Sequence, residues 1–183
     1  AAGMSAAKLG RVDHIMQRLV EDRQLPGAVV LVARHGHIAH LKSYGYRNIE
    51  NETPMTYDTI FRIYSMTKSL TSAIVLMMAE DEKLKLDAPV HRYLPEFADI
   101  RVHTADGGRS PKRPPTIRDL LRHTSGLTYG LFGDSEVDRR YRRAKVLSPA
   151  DDLPAFSAKV SDLPLEFDPG TQWKYSVASD VLG

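Results

Sequence analysis

The chain of 183 residues contains no cysteine, which excludes disulfides, thiolate catalysis and cysteine-based zinc sites. It also lacks an apolar run long enough to span a membrane and a signal-peptide pattern at its start. A net charge of +2 at pH 7 is too small to indicate a nucleic-acid partner. Its seven histidines form no convincing set of metal ligands. We therefore expect a globular protein without a metal, a cofactor, a membrane anchor or a nucleic-acid partner.

The first residues bear on the cellular location. Ala1, Ala2 and Gly3 precede Met4 and resemble a cloning remnant. If Met4 is the native start, no export signal precedes it, and we expect a cytoplasmic protein. Removal of a signal peptide would instead indicate the periplasm.

The first 50 residues predict a helix followed by a β-hairpin. Apolar residues spaced by three and four over residues 5–24 are typical of an amphipathic helix. The continuous apolar run at 28–33 is rich in β-branched residues and predicts a strand buried on both faces. His35-Gly36 supplies a turn, and residues 37–44 form the return strand.

The later chain is predicted to be mostly helical. Residues 65–80 are apolar almost all round, so this helix is expected in the middle of a protein. Residues 98–115 form a loop rich in Gly, Pro and basic residues. Further helices are predicted at 117–122, 134–146 and 149–160, and another begins after Tyr175.

Ser65 and Lys68 form a candidate catalytic pair at the start of the apolar helix. Their spacing puts them one turn apart, so the amine can reach the serine oxygen. A lysine can take the serine proton if burial or nearby positive charge lowers its pKa. The alternative is that Ser65 caps the helix and Lys68 extends to water. The pattern alone is weak, because Ser5 and Lys8 repeat it on a surface helix.

Several segments together resemble one family. Residues 61–68 (FRIYSMTK) resemble the first motif of the class C β-lactamases, the family VIII carboxylesterases and related DD-peptidases. The similarity continues, in the family's order and over nearly the whole chain, at 86–90, 93–95, 116–127 (TIRDLLRHTSGL) and 167–176. We therefore expect an α/β fold, with an antiparallel sheet flanked by helices and a mostly helical region. The resemblance divides the chain into 1–86 with the nucleophile helix, 87–174 as the helical region, and 175–183 as the start of the return to the α/β part.

The resemblance also assigns roles to residues. It makes Ser65 the nucleophile, with Lys68 and Tyr175 as the proton-handling partners. Two cations near the Tyr175 phenol could hold it partly ionised, so that it acts as a base. The lactamases usually carry Asn where this chain has Val177, and that Asn is expected to contact the amide of a lactam. Its absence favours esters over lactams.

The resemblance implies a serine carboxylesterase that cleaves small, short-acyl esters through an acyl-enzyme on Ser65. One alternative is a β-lactamase or a D-amino-acid peptidase on the same scaffold. The other is a binding protein that keeps the fold without catalysis. Tyr129, Phe132, Trp173 and Val177 are candidates for the substrate pocket, although aromatic residues serve equally well as core. The block around His123, Ser125 and Gly126 is expected to have a structural role.

Part of the family's machinery is missing from these residues. No segment after Tyr175 matches the third motif, whose strand donates half of the oxyanion hole. The other donor would be the backbone N–H of Ser65. We therefore expect a C-terminal half of the same fold, as a second chain or as further residues.

Overall fold

The computed structural model describes residues 3–183, which separate into one unit up to Arg62 and another from Ile63 to Gly183. Together they contain an antiparallel sheet of three strands and six α-helices in the described part of the chain. The predicted α/β class is confirmed, whereas the predicted boundaries at residues 86 and 174 stay a prediction. No helix within residues 3–183 has the length and apolar character needed to cross a membrane.

The first unit is a helix packed on a hairpin. Helix α1 (Ala6–Glu21) is followed by β1 (Gly27–Arg34), β2 (His37–Asn48) and the short β3 (Thr53–Pro54), in the antiparallel order β1-β2-β3. Between β1 and β2, His35 and Gly36 both have positive φ, of 50° and 73°. Two such residues make the tight turn whose twist suits a hairpin, so the predicted turn is confirmed.

The predicted burial of β1 on both faces is wrong for this chain. None of its residues is buried, and Leu31 is 55% exposed. Within the described residues β1 pairs only with β2, and α1, packed on this hairpin, leaves the β1 side chains no more than partly buried. The burial pattern that the sequence favours thus requires cover that residues 3–183 do not supply.

The second unit contains the larger core, which helices and loops build together. Its helices are α2 (Thr67–Glu80), α3 (Ile117–Leu121), α4 (Glu136–Ala144), α5 (Leu153–Ser161) and α6 (Ala178–Leu182), with 3₁₀ turns at Tyr64–Met66, Val90–Arg92 and Pro95–Asp99. Thr116 and Asp119 form a capping box on α3, as Ser135 and Asp138 do on α4. Fully buried side chains at the centre include Phe97, Leu120, Tyr141 and Leu165.

Helix α2 differs from its prediction in how much of it is buried. Val75 is its single buried residue, while Leu70, Ile74 and Met77 are each more than half exposed. One side of α2 packs on α6, and the rest of its apolar surface has no layer over it within the described residues. The interior position expected from its composition is therefore not seen here.

A loop and a turn hold the segment that leads to Tyr175. The Arg109 guanidinium donates two hydrogen bonds to the Asp168 carboxylate, at 3.0 and 2.6 Å. Gly126 has φ +90°, and a Cβ there would lie 2.4 Å from the carbonyl oxygen of Phe167. Only glycine fits this close approach. The N–H of Glu166 donates to the Gly126 carbonyl at 2.8 Å, and the N–H of Gly170 donates to the Thr124 carbonyl at 2.7 Å. These bonds hold the segment against the 123–127 block, and Tyr175 follows a few residues later.

Candidate active site

Ser65 lies in the 3₁₀ turn Tyr64–Met66, directly before α2, and its side chain is exposed. The preceding residue, Tyr64, has φ +44°, which is uncommon for a residue other than glycine and strains the backbone. The N-cap position of α2 belongs to Met66, which makes no side-chain cap bond. Ser65 therefore does not cap this helix, and the capping interpretation of the Ser65–Lys68 pair is wrong.

Tyr175 reaches Ser65 from a distant part of the chain. Its phenol O–H donates to the Ser65 Oγ at 2.7 Å, across 110 residues of sequence. The backbone on both sides of Tyr175 is tied to His123: the Lys174 N–H donates to the His123 carbonyl at 2.9 Å, and the Ser176 N–H donates to His123 Nδ1 at 3.3 Å. These bonds fix the direction in which the Tyr175 ring points.

Lys68 lies beside two tyrosine rings. Its Nζ is 5.0 Å from the ring centroid of Tyr175 and 5.4 Å from that of Tyr129, within the range of a cation–π contact. Burial lowers the pKa of Lys68, but the phenol groups of Tyr129 and Tyr175, together with the Asp180 carboxylate, outweigh it and leave the pKa above its ordinary value. The condition under which Lys68 would act as a neutral base, a lowered pKa, is therefore not met here, and Lys68 is an ammonium at neutral pH.

Tyr175 shows the opposite shift. Burial raises its pKa, but the hydrogen bond with Ser65 and the positive charge of Lys68 outweigh that effect, so its pKa lies below the ordinary value for tyrosine. The sequence suggested two cations near this phenol; the structure places one, Lys68, beside it. The structure thus brings Ser65, Lys68 and Tyr175 into one group. In that group Lys68 is positively charged, and the Tyr175 phenol loses its proton more readily than an ordinary tyrosine.

Tyr129 and Asp180 extend this group, and the sequence analysis missed Asp180. Tyr129 is buried and donates its phenol proton to Asp180 Oδ2 at 2.9 Å. Burial raises its pKa to about 12, with the Asp180 charge acting in the same direction and Lys68 against it. Asp180 lies in the first turn of the short helix α6. The sequence offered one signal for a role of Asp180: it is the single charged residue in the segment 175–183.

A cleft of 640 Å³ opens at Ser65, and much of its lining is apolar or aromatic. Tyr129 and Phe132 line it, as the sequence analysis suggested, together with Tyr64, Leu131 and Leu147. The polar groups of Lys68, Tyr175 and Asp180 meet at the same cleft. This combination of an apolar wall and a few convergent polar groups is typical of small-molecule sites.

Two suggested pocket residues lie elsewhere. Val177 is fully buried in the core beside α6, and Trp173 is 67% exposed, with its ring edge-on to His123 at 6.3 Å between centroids. Neither side chain belongs to the lining of the cleft. Val177 is the N-cap residue of α6, and its side chain belongs to the buried core rather than to the cleft.

His123 makes contacts that fit a structural role. Its Nδ1 accepts from the Ser176 N–H and lies 3.3 Å from Ser176 Oγ, and its ring packs on Tyr175 with 4.8 Å between centroids. Burial lowers the pKa of His123, and the charge of Lys68 lowers it further, so the ring is neutral near pH 7. No group of three or more acidic or histidine side chains within residues 3–183 is arranged to hold a metal ion.

The chain belongs to the Beta-lactamase family, whose profile matches residues 12–183. It is 40% identical to Esterase EstB of Burkholderia gladioli over all of this chain and 46% of that protein. Its fold is similar to that of EstCE1, described as a hydrolase with promiscuous acyltransferase activity, at a TM-score of 0.81 and 33% identity over 95% of this chain and 45% of the other. A class C beta lactamase shares the fold at a TM-score of 0.70 and 22% identity, over all of this chain and 45% of that one. The chain thus spans about half the length of the relatives it matches.

Proposed function

We propose that the protein is a serine hydrolase of the family VIII carboxylesterase kind, which cleaves small, short-acyl esters through a covalent acyl-enzyme on Ser65. The observation that carries the proposal is the 2.7 Å hydrogen bond between the Tyr175 phenol and Ser65 Oγ, with the Lys68 ammonium beside it. A serine hydroxyl is a weak nucleophile until a neighbouring group takes its proton. Tyr175 is in position to do so.

The pKa shifts support a division of roles between the two partners. Tyr175, whose pKa is lowered, acts as the base in its phenolate form, while Lys68 stays charged and stabilises that phenolate. In acylation Tyr175 takes the Ser65 proton, and Ser65 Oγ attacks the ester carbonyl carbon. The carbonyl oxygen becomes an oxyanion, which the N–H of Ser65 stabilises from its place at the start of a helical segment.

The remaining steps follow from the same proton transfer. The tetrahedral intermediate collapses, its bond to the alcohol oxygen breaks, and Tyr175 returns the proton to the leaving alkoxide. A water molecule then gives its proton to Tyr175 and attacks the acyl carbonyl. Collapse releases the carboxylic acid and restores the proton to Ser65.

Esters are favoured as substrates for three reasons. The apolar wall formed by Leu131, Phe132 and Leu147 suits a short acyl chain and offers no amide to recognise a lactam side chain. Val177, at the position where the lactamases usually carry Asn, is inside the core. EstB, a relative at 40% identity, is itself named an esterase.

Acyl transfer is a second candidate activity on the same acyl-enzyme. The relative EstCE1 is described as a hydrolase with promiscuous acyltransferase activity. In that reaction an alcohol takes the place of the attacking water, and an ester is released instead of an acid. A β-lactamase or DD-peptidase activity has less support, because the similarity to a class C beta lactamase at 22% identity concerns the fold alone.

The second oxyanion donor is proposed to come from a C-terminal half of the family fold, in the same polypeptide or in a second chain. The relatives are about twice as long as this chain, and apolar side chains on β1 and α2, such as Leu31 and Met77, lie uncovered within the described residues. Cover by the remaining half would remove this area from water. The experiments below therefore use the complete protein that carries residues 1–183.

A fluorophosphonate probe tests the proposed function. The probe should add covalently to Ser65 and to no other serine, and the labelled peptide is identified by mass spectrometry. The complete protein should hydrolyse p-nitrophenyl butyrate with a kcat/KM well above that for nitrocefin. Labelling of a different residue, or equal efficiency on ester and lactam, would contradict the proposal.

A further inference from the structure

Asp180 and Tyr129 form a hydrogen-bonded pair beside Lys68, at the cleft that also holds Ser65. The Tyr129 phenol donates to Asp180 Oδ2 at 2.9 Å, and its ring lies 5.4 Å from Lys68 Nζ and 5.4 Å from the Tyr175 ring. Tyr129 is buried, and Asp180 is exposed at the cleft that holds Ser65. The mechanism above uses neither residue.

We propose that Asp180 and Tyr129 are positioning residues, which orient the Lys68 ammonium beside Tyr175. The inference rests on the proposed function for its effect on catalysis. A phenol has one proton and two lone pairs. Because Asp180 accepts that proton, the lone pairs of the Tyr129 oxygen are free to face a donor, and an ammonium offers three donors and no acceptor.

The charged and titratable groups around Lys68 favour this role. Tyr129, Tyr175 and Asp180 all act to raise the pKa of Lys68. His123, whose ring packs on Tyr175, is neutral near pH 7. Asp180 is the one anion among them. Its loss would leave Lys68 with two phenols and a neutral imidazole, which hold a cation less firmly.

Asp180 also acts directly on Tyr175, whose pKa it raises. Two consequences follow for Asp180→Asn, which keeps the acceptor for Tyr129 and removes the charge. The pKa of Lys68 should fall, because its charged form loses a stabilising anion. The pKa of Tyr175 should fall as well, because its ionised form loses a repelling anion, so the acidic limb of kcat/KM moves to lower pH. Tyr129→Phe should lower the pKa of Lys68 and leave that acidic limb in place.

A purely structural role for Asp180 predicts a different result for Asp180→Asn. An acidic residue in the first turn of a helix stabilises that helix through its dipole. Asp180→Asn would then lower the melting temperature and the activity together, without moving a pKa. The pH profile and the titration of Lys68 therefore separate the two roles.

The test uses the complete protein with its lysines reductively methylated with ¹³C-formaldehyde. NMR titration gives the pKa of Lys68, whose signal is assigned by its absence in Lys68→Arg, and p-nitrophenyl butyrate hydrolysis gives the pH profile. Asp180→Asn should lower both the Lys68 pKa and the acidic limb by about one pH unit at low ionic strength, with a smaller shift at high salt. Asp180→Glu should restore both.

Asp106→Asn, in an exposed loop, and Tyr46→Phe, on β2, should leave both values unchanged. An unchanged Lys68 pKa in Asp180→Asn or in Tyr129→Phe would overturn the proposal. Should the parent protein neither hydrolyse esters nor react at Ser65, the proposed function fails, while the NMR titration still decides whether Asp180 and Tyr129 control Lys68.

Discussion

The chain contains the same short pattern twice, in Ser5-Ala6-Ala7-Lys8 and in Ser65-Met66-Thr67-Lys68, and the two copies have different surroundings. Ser5 is the N-cap of α1, and its Oγ accepts from the Lys8 backbone N–H at 3.3 Å. Ser65 makes no cap bond, and a phenol from 110 residues away donates to its Oγ. The Ser-x-x-Lys spacing alone therefore does not indicate a catalytic site. The two serines differ because Tyr175, from a distant part of the chain, contacts Ser65.

The two lysines differ in the same way. Lys8 is exposed on a surface helix, whereas Lys68 is half-buried between two tyrosine rings. A helix places both lysines one turn after their serines. Lys68 has neighbours that raise its pKa, and Tyr175 responds to its charge.

The largest expected difference between the copies concerns Ser65 as the proposed nucleophile. Ser65→Ala should reduce kcat for p-nitrophenyl butyrate by several orders of magnitude, because the covalent intermediate cannot form. Ser5→Ala should leave kcat and KM unchanged. Steady-state kinetics of the two variants, each folded by circular dichroism, measure this. Residual activity of Ser65→Ala within tenfold of the parent would contradict the assignment.

The next effect concerns the partners of Ser65. Lys68→Ala and Tyr175→Phe should each reduce kcat strongly, and the double variant should be scarcely worse than either, because residues that act as one proton-transfer unit are non-additive. Lys8→Ala is the matched control and should have no effect. A double variant whose loss equals the product of the single losses would show that Lys68 and Tyr175 act independently.

A smaller effect concerns the motif position after Tyr175-Ser176. Val177→Asn should destabilise the fold by about 1–3 kcal/mol, because it buries an amide without partners in the core. It should not raise turnover of nitrocefin, since Val177 does not line the cleft. Chemical denaturation and lactam kinetics test the two parts. A gain in lactam turnover with unchanged stability would mean that this side chain faces the substrate.

The smallest effect belongs to the first copy of the pattern. Ser5→Ala should lower the free energy of unfolding by about 1 kcal/mol or less, as expected for the loss of a helix cap. Ser65→Ala should show no such loss, since Ser65 caps nothing. Urea denaturation of both variants gives the comparison, and a stability loss confined to Ser65→Ala would reverse the roles assigned to the two serines.

Local patterns predicted the elements well, because their signals lie within a few residues. The hairpin turn at His35-Gly36 and the helix predicted at 117–122 depend on nearby residues, and both are confirmed. The interior positions expected for β1 and α2 were wrong, since burial depends on which surfaces meet. The apolar residues of β1 and α2 indicate that these elements need other residues packed on them, but the sequence does not indicate which residues these are.

The candidate site was predictable in part, and the limit has a physical cause. Resemblance supplied Ser65, Lys68 and Tyr175 together, although the sequence itself places the first and last 110 residues apart. Asp180 was missed because its partner, Tyr129, is distant in sequence and joins it only through tertiary structure. The division of charge between Lys68 and Tyr175 is likewise set by neighbours that local spacing does not reveal.

Tyr175 is proposed to ionise more readily than an ordinary tyrosine, because it is hydrogen-bonded to Ser65 and lies beside the Lys68 ammonium. Ultraviolet titration of tyrosine ionisation in the parent, in Tyr175→Phe and in Lys68→Ala tests it directly. The parent should show an ionisation step below the usual tyrosine pKa of about 10. That step should be absent in Tyr175→Phe and should move to higher pH in Lys68→Ala. Identical titration curves for the parent and Tyr175→Phe below pH 10 would contradict the account.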